Sequence, residues 1–213
     1  MSTNPPTRSV RISDDERGGW SSDRPRREGA PPRPANVAVR CRVLKPTDRL
    51  RYSPGSLVVI VSGSPAERDR FAARLIEDRA SLLSLDKVRG LLKGRVPDDE
   101  IAQRAQQLLD ATVAKRLGAG DTVVIPADGV QAAERERYVR LAVASKRPRH
   151  LIFIDAAKGQ VADEDHATVN ELRRALDAGE LGAEGFQTAL RLGGGAVSEV
   201  KAILFRPPPR DDE

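Results

Sequence analysis

Leu57-Val-Val-Ile-Val-Ser-Gly-Ser-Pro-Ala-Glu-Arg-Asp-Arg-Phe71 decides the fold. Leu57 to Val61 is an unbroken aliphatic run, mostly β-branched, as expected of a strand covered on both faces. The Gly and Pro that follow are turn chemistry. Ala66 to about Arg79 is expected to be helical, with Phe71-Ala-Ala-Arg-Leu75 on it. A strand apolar on both faces that leads directly into a helix belongs in a parallel sheet.

The rest of the chain extends this unit. Upstream, Val37-Ala-Val-Arg-Cys-Arg-Val43 alternates apolar and polar residues, the pattern of a half-buried strand. Lys45-Pro-Thr-Asp48 and Ser53-Pro-Gly-Ser56 read as turns. Downstream, Leu82 to Leu85 is a second short apolar run, and Val88 to Leu92 a helical turn ended near Gly94 and Pro97. Asp98-Asp-Glu100 opens a long amphipathic helix, with acids at the positive end of its dipole, ending near Gly118. Thr122 to Ile125 and Leu151 to Ile154 are strands separated by a helix over Ala132 to Ser145. A helix over Asp163 to Ala178 follows, then strands at Ala189 to Leu192 and Ala202 to Phe205. Strands alternating with helices predict an α/β fold, a mostly parallel sheet with helices on both faces. The domain is expected over residues 37–206. Residues 1–36, rich in Pro and Arg with few aliphatic side chains, are expected to be a disordered tail, as are 207–213. Trp20 is the one large aromatic of the first tail and reads as incidental.

The composition narrows the function classes. The chain has 213 residues, a formal net charge of +5, 31% charged residues and 3% aromatics. Its core must be built from Val, Leu, Ile and Ala. Positive and negative charges are interspersed, which favours a solvated mixed surface over a dedicated nucleic-acid patch. Cys41 is the single cysteine, so no disulfide framework exists and a reducing, cytoplasmic setting is expected. No apolar run approaches the length of a membrane span, and Met1 is not followed by a signal-peptide core. His150 and His166 are isolated, so no metal site is expected.

The turn after Leu57 to Val61 is where a phosphate-binding loop would lie. The motif G-x-x-x-x-G-K-(S/T) needs glycines so that backbone N–H groups can wrap phosphate, a Lys on the β- and γ-phosphates, and a hydroxyl on Mg²⁺. Gly63 is the one glycine present. Aligned on the helix, Glu67 stands for the second Gly, Arg68 for the Lys and Asp69 for the hydroxyl residue. Two carboxylates would then face a polyanion. Arg can pair with phosphate bidentately, but flanked by Glu67 and Asp69 it reads more readily as a salt-bridged residue at the helix start.

Further segments fit one template. These are Ser84-Leu-Asp-Lys-Val-Arg-Gly-Leu-Leu92, then Thr122-Val-Val-Ile-Pro-Ala-Asp-Gly-Val130 with Arg135, then Leu172-Arg-Arg-Ala-Leu176 with Glu184-Gly-Phe186. With the first strand and helix, their order resembles the P-loop kinases of the polynucleotide-kinase and zeta-toxin type, above all the 5′-kinase module of bacterial polynucleotide kinases, over Ser53 to Phe205. The resemblance implies roles. Ser84, Asp86 and Arg89 match a strand-end S-x-D-x-x-R segment in which the Asp is general base toward the acceptor hydroxyl and the Arg holds the acceptor phosphate. A structural role, Asp86 capping a helix that starts at Lys87, is compatible. Arg135 stands at the position of an acceptor-binding Arg, though among Glu134, Glu136 and Arg137 it reads as an ordinary solvated residue. The template also departs from the family. Pro126, Asp128 and Gly129 replace the Asp, Thr and Asn of a D-A-T-N segment. Asp155-Ala-Ala-Lys-Gly-Gln-Val-Ala-Asp163 replaces an Arg-rich lid, leaving Lys158 as its only cation. Gly193-Gly-Gly195 reads as a flexible turn.

The departures fall on the phosphate cradle, the metal hydroxyl, the Asp at the third strand end and the lid. The resemblance thus implies a degenerate kinase fold, a pseudokinase that binds or scaffolds a protein or nucleic-acid partner, with no cofactor expected and no membrane contact. One alternative is a divergent kinase, using ATP and Mg²⁺, that acts on a nucleic-acid 5′ end or a small hydroxyl compound. The other is a nucleic-acid-binding module that uses the basic surface and the Arg-rich tail.

Overall fold

The computed structural model describes residues 38–207. The two expected tails, with Trp20, lie outside the described residues apart from Pro207. Residues Leu57–Ser62 form β3, buried along its whole length. Its side chains alternate between two apolar layers. Leu57, Val59 and Val61 enter one, and Val58 and Ile60 enter the other. That double burial is why the run has no polar alternation.

The main sheet has five strands, β1 (Arg42–Leu44), β6 (Thr188–Gly193), β5 (Arg149–Asp155), β3 and β4 (Val123–Pro126), in that spatial order. Every pairing in it is parallel. Helices α3 (Asp98–Ala119), α4 (Ala132–Ala144) and α5 (His166–Asp177) cover one face through Leu109, Val113, Tyr138, Val139, Val169 and Leu172. Helix α1 (Pro65–Leu75) covers the other through Phe71, Ala72 and Leu75. The sheet is therefore α/β with helices on both faces, as the pattern predicts.

Several boundaries differ from the sequence reading. Helix α1 stops at Leu75 instead of continuing to Arg79. Ile76 turns extended and buries in the apolar layer, and Asp78 draws the N–H of Ala80 onto its carboxylate and the hydroxyl of Ser81 onto its carbonyl. Such local bonds compete with helix. The first strand is only three residues long. Leu82 makes a single bridge to Val124 in place of a full strand, because α2 (Leu85–Leu92) begins directly after it. Residues Arg49–Tyr52, not read as a strand, form β2 and pair in parallel with β7 (Ala202–Phe205) in a separate two-stranded sheet. Its alternating burial places Leu50 and Tyr52 in the second apolar layer. Gly195 opens a short helix, α6 (Gly195–Glu199), where a turn alone was expected.

Gly182 ties the chain entering β1 to the body. Val39 donates its N–H to the Gly182 carbonyl at 2.8 Å, and a Cβ on Gly182 would collide with the Val39 carbonyl oxygen. Gly182→Ala is expected to cost about 1–3 kcal/mol through overpacking against backbone. Urea unfolding of the variant checks this, and an unchanged midpoint would refute it.

Candidate functional site

Strand β3 has β4 on one side and β5 on the other, so the chain departs from it in opposite directions. Ligand crevices in open α/β sheets lie at the carboxyl ends of strands around such a point. Here those ends are Ser62-Gly63 of β3, Pro126 to Asp128 of β4 and Asp155 of β5.

After β3 only Gly63 and Ser64 separate strand from helix, and Pro65 is the first helical residue. Glu67, Arg68 and Asp69 accordingly lie within the opening turns of α1. Arg68 is 3% exposed. Its guanidinium donates to the Ala127 carbonyl and to Asp69 Oδ1, the latter at 2.8 Å. Gly63 is packed under the connection after β5, because a Cβ there would lie 2.9 Å from Val161 Cγ2 and 3.2 Å from Val169 Cγ2.

A cavity of about 250 Å³ opens between α1, Leu82 and the start of α2, and Arg68, Asp69, Ser84, Asp86, Lys87 and Asp128 are among the residues lining it. It brings the loop residues Arg68 and Asp69 together with Asp86. Gly63, Glu67 and Arg135 do not line it. Ser84, not Asp86, caps α2, accepting the Lys87 N–H at 3.3 Å. The helix starts two residues earlier than Lys87, so Asp86 falls in its first turn with its carboxylate exposed. Arg89, one turn on, donates to Asp86 at 3.0 Å and to Asp128 at 2.6 Å. Burial alone would lower the Arg89 pKa, but these two carboxylates hold it above its ordinary value.

Arg135 is not a solvated residue. It is 3% exposed and grips Glu184 through two bonds of 2.8 and 2.5 Å, with a third to the Val130 carbonyl. Glu134, one position earlier, accepts the backbone N–H groups of Asp128 and Gly129, each at 2.8 Å. Burial pushes the Glu134 carboxyl up, although those two bonds pull the other way. A side-chain carboxylate thus fills the small anion nest that follows β4.

Asp155 ends β5 between two arginines, Arg173 and Arg191, each at 2.6 Å. Burial would raise its carboxyl, but the bonds from Arg173 and Arg191 hold it below the usual carboxylate range. The side chain of Lys158 lies outside what is described. Sequence reading overlooked Asp128, Glu134 and the Asp155 cluster as partners of the site. Asp128 carried a signal, since it follows the third apolar strand directly, but nothing local points it at Arg89.

A parallel sheet of this build, with a strand–turn–helix unit at its switch point, is the α/β architecture of a P-loop NTPase. The chain belongs to the AAA domain family, a P-loop NTPase family, whose pattern matches residues 66–184. That match begins inside α1 and runs through Glu184. A solved structure described as "a putative kinase from chloroflexus aurantiacus j-10-fl" is similar at 15% identity, covering 66% of this chain and 86% of its own, with a TM-score of 0.39. No curated protein matches the chain.

Proposed function

We propose that this protein is a pseudokinase, a P-loop kinase-like domain that serves as a binding or scaffolding module without efficient phosphoryl transfer from ATP. The observation that carries this reading is the engagement of Arg68. The cation at the position of the phosphate-binding Lys is buried and committed to Ala127 and Asp69. Two further features support it. Val161 packs against Gly63 where a phosphate chain would need open backbone, and Asp69 would bring a carboxylate toward that chain. The residues present do not fit ATP with Mg²⁺. Two like charges ~4 Å apart at an effective dielectric of ~20 repel by roughly 4 kcal/mol before screening. The Asp86–Arg89–Asp128 set is closed on itself, which suits a structural or partner-binding role.

Thermal unfolding with and without Mg-ATP tests the reading. A ligand at a hundred times its Kd would stabilise the fold by about 2.7 kcal/mol, several degrees for a domain of this size. No shift is expected at millimolar Mg-ATP. A shift of several degrees would overturn the proposal and promote the divergent-kinase alternative, with Asp86 as base and Arg68 on phosphate.

A further inference from the structure

We infer that the outer face of the β2–β7 ribbon, with the adjoining edge strand β1, is a docking surface for the phosphate backbone of single-stranded nucleic acid. The inference goes beyond the pseudokinase reading and does not depend on it. Arg40, Arg42, Lys45, Arg49 and Arg51 are all exposed. Asp48 is the sole acid between residues 38 and 52.

The strand geometry aligns these cations. On β2, Leu50 and Tyr52 are buried, so Arg49 and Arg51 project away from the core. On β1, Arg42 shares its face with Leu44, which packs in the same apolar layer as Leu50 and Tyr52. The arginines therefore lie on the ribbon-bearing side of the sheet. Residues two apart on a strand are about 6.5 Å apart, so each pair forms a short line of charge that an extended phosphate chain can follow. Arg206, exposed just past β7, continues the line.

The arginines at the carboxyl ends of the main sheet's strands are held differently. Arg68, Arg89, Arg135, Arg173 and Arg191 are each matched to carboxylates. Among the described residues, no ion pair involves any of the five cations on β1, β2 and the turn between them. A row of like charges repels itself, and an arginine side chain forks readily onto phosphate oxygens. Tyr52 and Phe205 stack toward each other on the inner side, ring centres 6.2 Å apart, so this outer face offers charge without a stacking platform. The expected binding is indifferent to base sequence and steeply dependent on salt. The sequence before β1 is itself Arg-rich.

The test is fluorescence anisotropy of a labelled oligothymidylate with the full chain over a salt series. It compares the wild type, the double variant Arg49→Ser with Arg51→Ser, and Arg140→Ser on α4 as control. Both β2 side chains point to solvent, so the double variant should unfold at the wild-type temperature. The wild type should bind at low salt, and the double variant should show a log–log salt slope shallower by roughly 1.4, about 0.7 per lost contact on a single strand. The control should leave the slope unchanged. Absence of wild-type binding, or equal slopes in wild type and double variant, overturns the inference. The second result would assign binding to the Arg-rich segment alone. Competition by polyglutamate as effective as that by the oligonucleotide at equal charge also overturns it, in favour of an acidic protein partner.

Discussion

Glu184→Ala is expected to destabilise the protein by about 3–5 kcal/mol, because it leaves the Arg135 guanidinium buried without a counter-charge. The pair is nearly inaccessible, with side-chain exposures of 4% for Arg135 and 14% for Glu184. It bolts α4 to the segment before β6, and Phe186, two residues on from Glu184, is fully buried in the first apolar layer. Breaking one partner therefore strains a helix and a core anchor together. Replacing both, as Arg135→Met with Glu184→Leu, should recover most of the loss, since well-packed apolar substitutes for buried ion pairs are often neutral or stabilising. Chemical unfolding of the single and double variants measures both effects. A single-variant loss below 1 kcal/mol would show that solvent reaches Arg135 and that the pair is not a structural bolt.

Stability is expected to fall as pH drops from about 6.5 to about 4, through His150. Burial, with a smaller push from Arg149, lowers the His150 pKa to about 4. Its Nδ1 meets the Thr188 hydroxyl oxygen at 2.8 Å, its ring packs 4.6 Å from that of Tyr52, and its Nε2 has no partner among the described residues. The unfolded chain takes up the proton near pH 6.5 while the folded state refuses it until about 4. In that window the unfolded state binds more protons, so acid favours unfolding. Stability from this group is fully present above 6.5 and lost by 4, in total about 3 kcal/mol at 1.36 kcal/mol per unit. His150→Gln should remove this slope, while carboxylates such as Asp155 keep theirs at lower pH. Parallel pH profiles for wild type and variant would refute the assignment.

Both predictions rest on residues whose importance the sequence conceals. What the sequence determined was local. The Leu57–Val61 run identifies a doubly buried strand, and the periodicity after Asp98 identifies α3, because burial on a strand or helix repeats with the period of the element itself. The α/β alternation followed from those segments, as did the acidic intrusion of Glu67 and Asp69 at the start of α1. Partnership across distance was not legible. Arg135 sits among charged neighbours and looks solvated, but its counter-ion is 49 residues away. Asp128 reads as a loop residue, but it closes on Arg89, 39 residues before it. The pairing of β2 with β7, and the cap that falls on Ser84 instead of Asp86, likewise arose only when the chain closed on itself. A charged side chain carries no local mark of burial, because the charge that makes its burial tolerable comes from another part of the fold.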